Sequence, residues 1–228
     1  MIRIFIGYDP REAVAYHVLC HSIIARAQVP VSITPLALNT VCTIHDRPRD
    51  PLQSTDFAFT RFLVPYLCGY KGWAIFMDCD MLCLTPIERL FALRDSSYAV
   101  MCVKHRHEPN ETVKFLGQKQ TNYGMKNWSS VMLFNNARCR ALDPEDVNTT
   151  PGLDLHQFKW LGDDSEIGAL PPEWNHLVGY DKWAYPRLLH YTQGGPWFAD
   201  YRRNDQSTAL WMQEYAWAAR CEKSRDLG

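Results

Sequence analysis

The chain has 228 residues and is 46% apolar, with 24 basic side chains against 25 acidic and a net charge of −1. That length and apolar content can bury one sizeable core, and the balanced charge excludes the basic footprint of a nucleic-acid binder. No apolar run reaches the ~20 residues of a membrane helix, and MIRIFIGYD meets a charge at Asp9 without a small-residue cleavage site, so no signal peptide is expected.

In chain order, IRIFIG (2–7) is a β-rich apolar run too short for a helix and reads as a buried strand. Asp9 is placed to cap the next helix, with Pro10 as its first residue. Ala13, Tyr16, Cys20, Ile23, Ile24 and Ala27 keep a helical spacing until Pro30. VSITPLAL (31–38) is the next strand, and Pro35 marks it as an edge. This β-α-β opening is the unit of a parallel α/β sheet.

Residues 42–53 read as loop. Ser54 is expected to cap a helix running to about residue 67, kinked at Pro65 and ended by Gly69. WAIFMD is a central strand, PIERLF a short helix, and SYAVMCV and SSVMLFN two more strands. Between the last two, residues 104–127 carry Lys104, His105, Arg106, His107, Lys114, Lys119 and Lys126 without an apolar period, as a long loop would. DLHQFKWL fits two helical turns and RLLHY a late strand. From Asn204, Trp211, Met212, Tyr215 and Ala219 space a closing helix that packs through them. One α/β domain accounts for all of this. Eight cysteines lie scattered, several inside apolar runs, with no CxxC pair and no zinc spacing. They read as small buried hydrophobes in a reducing, cytoplasmic setting.

The stretch AIFMDCDMLCL carries the chemistry. On a strand, Asp78 and Asp80 point to one face while Cys79 points away. At the C-terminal end of a parallel strand they face the crevice where open α/β sheets bind ligands. Two carboxylates forced together repel unless a cation joins them, and hard oxygen ligands suit magnesium or manganese, which in turn grip a diphosphate. The plainer alternative is a pair of carboxylates capping the helix near Pro86. Haloacid-dehalogenase-type phosphatases also end an apolar strand in DxD, with the first Asp as nucleophile, and LGDDSE (161–166) imitates their later acidic motif. There, however, the small Gly and Thr that normally follow the DxD are replaced by Met81 and Leu82.

STDFAFTRFLVPYL followed by FMDCDMLCLTPIERLF, with LLHYTQGGPWF 110 residues on, resembles the retaining GT-A glycosyltransferases that include glycogenin and the bacterial galactosyltransferases. The match runs from residue 2 to about 200. The resemblance implies a single GT-A domain with a Rossmann-like, mostly parallel sheet. Residues 1–80 would form its nucleotide-binding half and 81–228 its acceptor half with the closing helix. It implies transfer of a hexose from a nucleotide diphosphate sugar, UDP-linked, to an acceptor hydroxyl. Asp78 and Asp80 would hold the metal with His190 as third ligand, and a nitrogen ligand favours manganese over magnesium. Gly7, Tyr8 and Asp9 match where the family holds base and ribose, Arg61 the arginine near the donor sugar, and Cys79, Gly194, Gly195 and Trp197 the remaining donor-site positions. Asp154, His156 and Gln157 of DLHQ stand nearest to the family's acidic-Gln-acidic motif by the anomeric carbon, although the match is not clean. Gly195 replaces the family's diphosphate-binding lysine, a charge that Lys182, Arg202 or Arg203 would have to supply. The basic 104–127 segment is expected to order over the donor site. A phosphohydrolase, or a sugar- or nucleotide-binding protein without turnover, are the alternatives at this point.

Overall fold

The computed structural model describes residues 1–50, 53–105, 125–182 and 184–220. Its nine strands form two sheets. The larger holds β1 (Ile2–Gly7), β2 (Val31–Leu36), β3 (Trp73–Met77), β5 (Val100–Cys102), β6 (Val131–Asn135) and β7 (Ile167–Ala169), in the order β2-β1-β3-β6-β5-β7. β2, β1 and β3 run parallel, β6 is reversed, and β5 and β7 resume the first direction. The smaller sheet joins β4 (Met81–Cys83), β9 (Leu188–His190) and β8 (His176–Leu177) in the order β4-β9-β8. The sheet is thus mixed α/β, as expected, and β2 with its Pro35 does lie at the edge.

The central strands β3 and β6 are apolar on both faces because both are covered. Ile4, Ile6, Ala74, Ile75, Phe76 and Met77 have no exposed surface. Each of the Ile, Phe and Met side chains contributes roughly 1.5–3 kcal/mol on burial, so β1 and β3 anchor the core. Their neighbouring C-terminal ends set the place of the site.

Among the described residues there are seven α-helices: α1 (Ala13–Arg26), α2 (Leu38–Val41), α3 (Val64–Leu67), α4 (Glu88–Phe91), α5 (Pro144–Thr149), α6 (Gly152–His156) and α7 (Gln206–Ala218). Asp9 caps a 3-10 turn, Pro10–Glu12, that leads into α1. The buried face of α1 is Ala15, Tyr16, Val18, Leu19, Ser22 and Ile23, whereas Ile24 is 61% exposed, so the expected stripe was rotated. Ser22 faces β4, where its hydroxyl oxygen accepts from the Cys83 amide at 3.1 Å.

Two further expectations need correction. The helix over 54–67 is not continuous: a 3-10 turn, Thr60–Leu63, is followed by the single turn of α3. Pro65 has no N–H to give to the carbonyl four residues back, so the ladder breaks there. Gly69 does end it, at φ +59°. In α7 the buried residues are Ser207, Trp211 and Glu214, while Tyr215 is exposed. Glu214 is drawn inward by His21 (2.5 Å) and Arg26 (2.6 Å) of α1, and this polar clamp sets the packing face. Among the described cysteines all are free; Cys68, Cys79, Cys83, Cys102 and Cys139 are buried, but Cys42 is exposed. No helix among the described residues is long and apolar enough to cross a membrane.

Candidate metal centre

Asp78 and Asp80 do not lie on a strand. β3 ends at Met77 and β4 begins at Met81, so the DxD is the bend by which the chain passes from one sheet to the other. The two carboxylates still converge, and Cys79 still turns away, with its Sγ 3.9 Å from Glu12 Oε2. Convergence comes from the bend and its anchors. The Asp78 amide donates to the Ser130 carbonyl at 3.0 Å, prolonging the β3–β6 pairing, and the Tyr191 amide donates to the Asp80 carbonyl at 2.9 Å, prolonging β4–β9.

His190 arrives through strand register. β4 and β9 pair antiparallel with Met81 opposite His190, which sets the imidazole beside Asp80. Asp78, Asp80 and His190 each offer a ligand atom, all within 4.8 Å of one another. His190 Nε2 lies 3.4 Å from Asp80 Oδ2 and Arg61 Nη1 lies 2.9 Å from Asp78 Oδ1. Asp80 Oδ1 is buried without a hydrogen-bond partner among the described residues. Burial alone would lower the basicity of His190, but the carboxylates of Asp80 and then Asp78 outweigh it and hold the imidazole above its usual pKa. Two hard carboxylates, one nitrogen and an orphaned buried oxygen fit a divalent cation.

Arg61 is 5% exposed, not a surface residue. Nε donates to the Ala58 carbonyl (3.0 Å) and Nη1 to the Ser129 carbonyl (2.8 Å), and Nη1 also ion-pairs with Asp78. The guanidinium therefore positions the first carboxylate of the centre.

The other expected site residues fall into three groups. At the end of β1, a Cβ on Gly7 would meet the Phe57 ring at 2.2 Å, so only glycine fits there. Tyr8 packs edge-on to Tyr16 with ring centres 5.3 Å apart, and Asp9 is fully buried under hydrogen bonds from Arg11 and the Asp56 amide. After β9, Gly194 takes φ +101°, and a Cβ on Gly195 would meet the Trp197 ring at 2.0 Å. No side chain, lysine included, fits at 195 with Trp197 as it stands. Trp197 is half-buried against Tyr191 and Trp211. Arg202 Nε donates to the Pro196 carbonyl (2.8 Å) and Arg203 Nη2 to Gln193 Oε1 (2.6 Å), so both cations border this loop.

Asp154, His156 and Gln157 are not brought together. Asp154 pairs with Lys159 at 2.6 Å and lines a cavity of about 190 Å³ with Asp146, Thr150 and Trp160. His156 Nδ1 lies 2.7 Å from Ser129 Oγ, with its ring against Phe59 and Phe62, and Gln157 closes the C-terminus of α6. His156 is linked to the centre through Ser129, whose hydroxyl it meets and whose carbonyl accepts from Arg61. LGDDSE precedes β7, hence lies at the N-terminal end of the parallel strands, whereas the DxD follows β3 at their C-terminal end. The two acidic motifs cannot share one site. Most of the 104–127 segment, and Trp183, lie outside the described residues.

Three residues around the centre escaped the sequence reading. Glu12 is buried, and burial first, then the charges of Asp80 and Asp9, push its carboxyl well above the usual range. Its signal was the D-x-x-E spacing from Asp9, which turns the fourth residue back towards the cap. Asn175 is fully buried, its Oδ1 2.9 Å from His190 Nδ1 and its Nδ2 2.8 Å from Ser130 Oγ. Neither Asn175 nor Ser130 carries a sequence signal of this role, since their meeting depends on pairing between distant strands.

Among solved structures, the galactosyltransferase LgtC in complex with donor and acceptor sugar analogues aligns over 97% of this chain and 98% of its own, with a TM-score of 0.62 at 11% identity. GlyE of Streptococcus pneumoniae TIGR4 aligns over 94% of this chain and 61% of its own, with a TM-score of 0.60 at 13% identity. The bifunctional glycosyltransferase WbbM aligns over 94% of this chain with a TM-score of 0.59 at 15% identity, and the chain spans about half of its length. The fold is therefore that of the GT-A glycosyltransferases. No family model matches the sequence. Protein CDI of Arabidopsis thaliana is 46% identical over 222 residues, a match covering 93% of this chain and 85% of that protein. The chain belongs to the family of Protein CDI, built on a GT-A fold.

Proposed function

We propose that the protein is a metal-dependent glycosyltransferase. It would move a hexose from a nucleotide diphosphate sugar, UDP-linked, to an acceptor hydroxyl with retention of configuration. The observation that carries the reading is the meeting of Asp78, Asp80 and His190 within 4.8 Å at the C-terminal end of β3, where open α/β sheets bind ligands. Residues 1–80 act in this reading as the nucleotide-binding half and 81–228 as the acceptor half.

Asp78, Asp80 and His190 would hold manganese, or magnesium. When bound, the metal neutralises charge on the departing diphosphate. Arg61 contributes by holding Asp78 in place, so that little reorganisation is needed on binding. Trp197 closes the apolar floor beneath the late loop, and Arg202 and Arg203 supply at its rim the positive charge that position 195 does not. Gly7 and Tyr8 stand at the end of the strand beside β3, where a base and ribose would extend from a diphosphate over the DxD, with Asp9 capping the turn behind them.

The test is thermal denaturation with UDP, in manganese and in chelator. We expect UDP to raise the melting temperature only with manganese, and Asp80→Ala to abolish that rise while the metal-free protein stays folded. Equal stabilisation by UDP in chelator would refute a metal-dependent donor site. A turnover assay against UDP-hexoses then separates an enzyme from a binding protein.

A further inference from the structure

The bonds around Asn175 fix more than its own place. Its Nδ2 lies 3.1 Å from the Asn127 carbonyl and 2.8 Å from Ser130 Oγ, and Ser130 Oγ itself donates to that same carbonyl at 2.6 Å. A backbone carbonyl only accepts, and the serine hydroxyl has spent its one hydrogen on it. Both neighbours of that end of the Asn175 amide are therefore acceptors, so the end must be the NH₂. Its Oδ1 then faces His190 Nδ1 at 2.9 Å, and a ring nitrogen facing a carbonyl oxygen must carry its proton. Asn175 is fully buried and His190 is 3% exposed, so bulk solvent does not compete for this bond.

We propose that Asn175 is a positioning residue of the metal centre: it holds the proton of neutral His190 on Nδ1 and turns the Nε2 lone pair towards Asp80. The proposal rests on the metal-site reading above and adds what orients its nitrogen ligand. A lone pair 3.4 Å from a carboxylate oxygen repels it, so the arrangement invites a cation between them. Left alone, a neutral imidazole beside a carboxylate would protonate Nε2 and donate to Asp80, which would occupy the ligand atom. Asn175 opposes that choice, in the manner of the outer partners that orient metal-bound histidines.

The same residues also couple the two sheets. Ser130 precedes β6, its carbonyl takes the Asp78 amide, and its hydroxyl takes Asn175. Asn175 precedes β8, which pairs with the strand carrying His190. One chain of bonds thus ties Asp78 to His190 independently of the metal. It is anchored at Asn127, whose backbone is left-handed (φ 64°), a conformation asparagine tolerates better than most residues.

Nitrogen-15 NMR of the histidine rings in metal-free, wild-type protein, at a pH where His190 is neutral, tests this without a variant. The expected spectrum has a protonated Nδ1 and an unprotonated Nε2; the opposite tautomer overturns the proposal. Asn175→Leu, similar in shape but without an acceptor, should move the proton to Nε2 and weaken manganese binding by about 10–100-fold in titrations followed by electron paramagnetic resonance. Asn175→Gln, if its carbonyl reaches Nδ1, should recover part of both. A folded Asn175→Leu protein that keeps wild-type tautomer and affinity overturns it as well. Absence of manganese binding to the wild-type chain would remove the metal reading of the site, while the wild-type tautomer would still decide the role of Asn175.

Discussion

Asp9 and Asp80 occupy equivalent places just beyond the ends of neighbouring parallel strands. Ile6 of β1 pairs with Met77 of β3, and each aspartate stands three residues beyond. Their surroundings are opposite. Asp9 is fully buried and accepts from Arg11 N (3.0 Å), Arg11 Nε (2.9 Å), Arg11 Nη2 (2.5 Å) and Asp56 N (3.2 Å). Asp80 has one oxygen facing a histidine and one buried with no partner among the described residues. A carboxylate whose lone pairs all have donors is part of the scaffold. One with a buried, unpaired oxygen is stable only if another group compensates, and such positions cluster where ligands bind. Residue type and strand end alone therefore do not identify a site; the hydrogen-bond account does.

The largest expected effect lies between the two. Arg61 is the buried cation that holds Asp78, and removing one partner of a buried pair costs about 3–5 kcal/mol. Arg61→Met should lower stability to that degree in urea unfolding of the metal-free protein. Arg61→Lys should fall between, because it keeps the charge but cannot reach Ala58, Ser129 and Asp78 together. A loss below about 1 kcal/mol, the range of an exposed pair, would mean that Asp78 does not need this partner.

Next comes manganese affinity. Asp80→Asn removes a charged ligand of the proposed centre and should weaken binding at least about a hundredfold, the upper end of what losing a mere outer partner costs. Asp9→Asn should leave affinity within about threefold, since a roughly 0.6 kcal/mol change is all that distant scaffold adjustments usually transmit. Calorimetric titration of the two variants would break the comparison if their losses were equal.

The third effect is on the fold and reverses the ranking. Asp9→Ala removes a cap and should cost about 1–2 kcal/mol, which for a chain of this size lowers the melting temperature by about 2–8 °C. Asp80→Ala removes a carboxylate that repels Asp78 and leaves fewer buried lone pairs unpaired, so metal-free protein should melt no lower than wild type. A large loss in Asp80→Ala would show that Asp80 supports the bend as much as the ligand.

What was legible in the sequence divides along the same line. Asp78, Asp80 and His190 could be read because motif and spacing carry them, and β1, α1, β2 and β3 because their apolar patterns are long. The two-sheet arrangement was not legible. β4 and β8 have three residues and two, too few to show a period, and their pairing with β9 is what delivers His190. Helical spacing found α7 and its buried Trp211 but chose Tyr215 over Glu214, since a glutamate reads as solvated until His21 and Arg26 are seen to hold it. Pro65 was read as a kink where it is a break. Asn175 and Ser130 were invisible for the most general reason: a neutral side chain acquires its role from the atoms facing it, and those lie 45 residues apart in the chain.

The smallest effect is in the pH dependence of the metal-free protein, and here Asp9 contrasts with its neighbour Glu12. Burial alone would raise the Asp9 carboxyl, but hydrogen bonds from Arg11 and from the Asp56 amide outweigh it and hold it below the usual value. A lowered folded pKa stabilises the protein above the unfolded value of about 3.9, and that contribution is lost as pH falls through the folded value. Glu12 is the reverse. Burial first, then the negative charges of Asp80 and Asp9, push it well above the usual range. Its stabilising neutral form contributes fully below the unfolded value of about 4.3, and the contribution disappears as pH rises through the folded one. Asp9→Asn should therefore flatten the acid limb of a plot of melting temperature against pH. Glu12→Gln, which cannot ionise, should gain on wild type as pH rises above the unfolded value, until the folded one is passed. Were Glu12→Gln to stay level with wild type as pH rises, Glu12 would already be ionised in the fold, and a positive charge near Asp80 and Asp9 would have to hold it so.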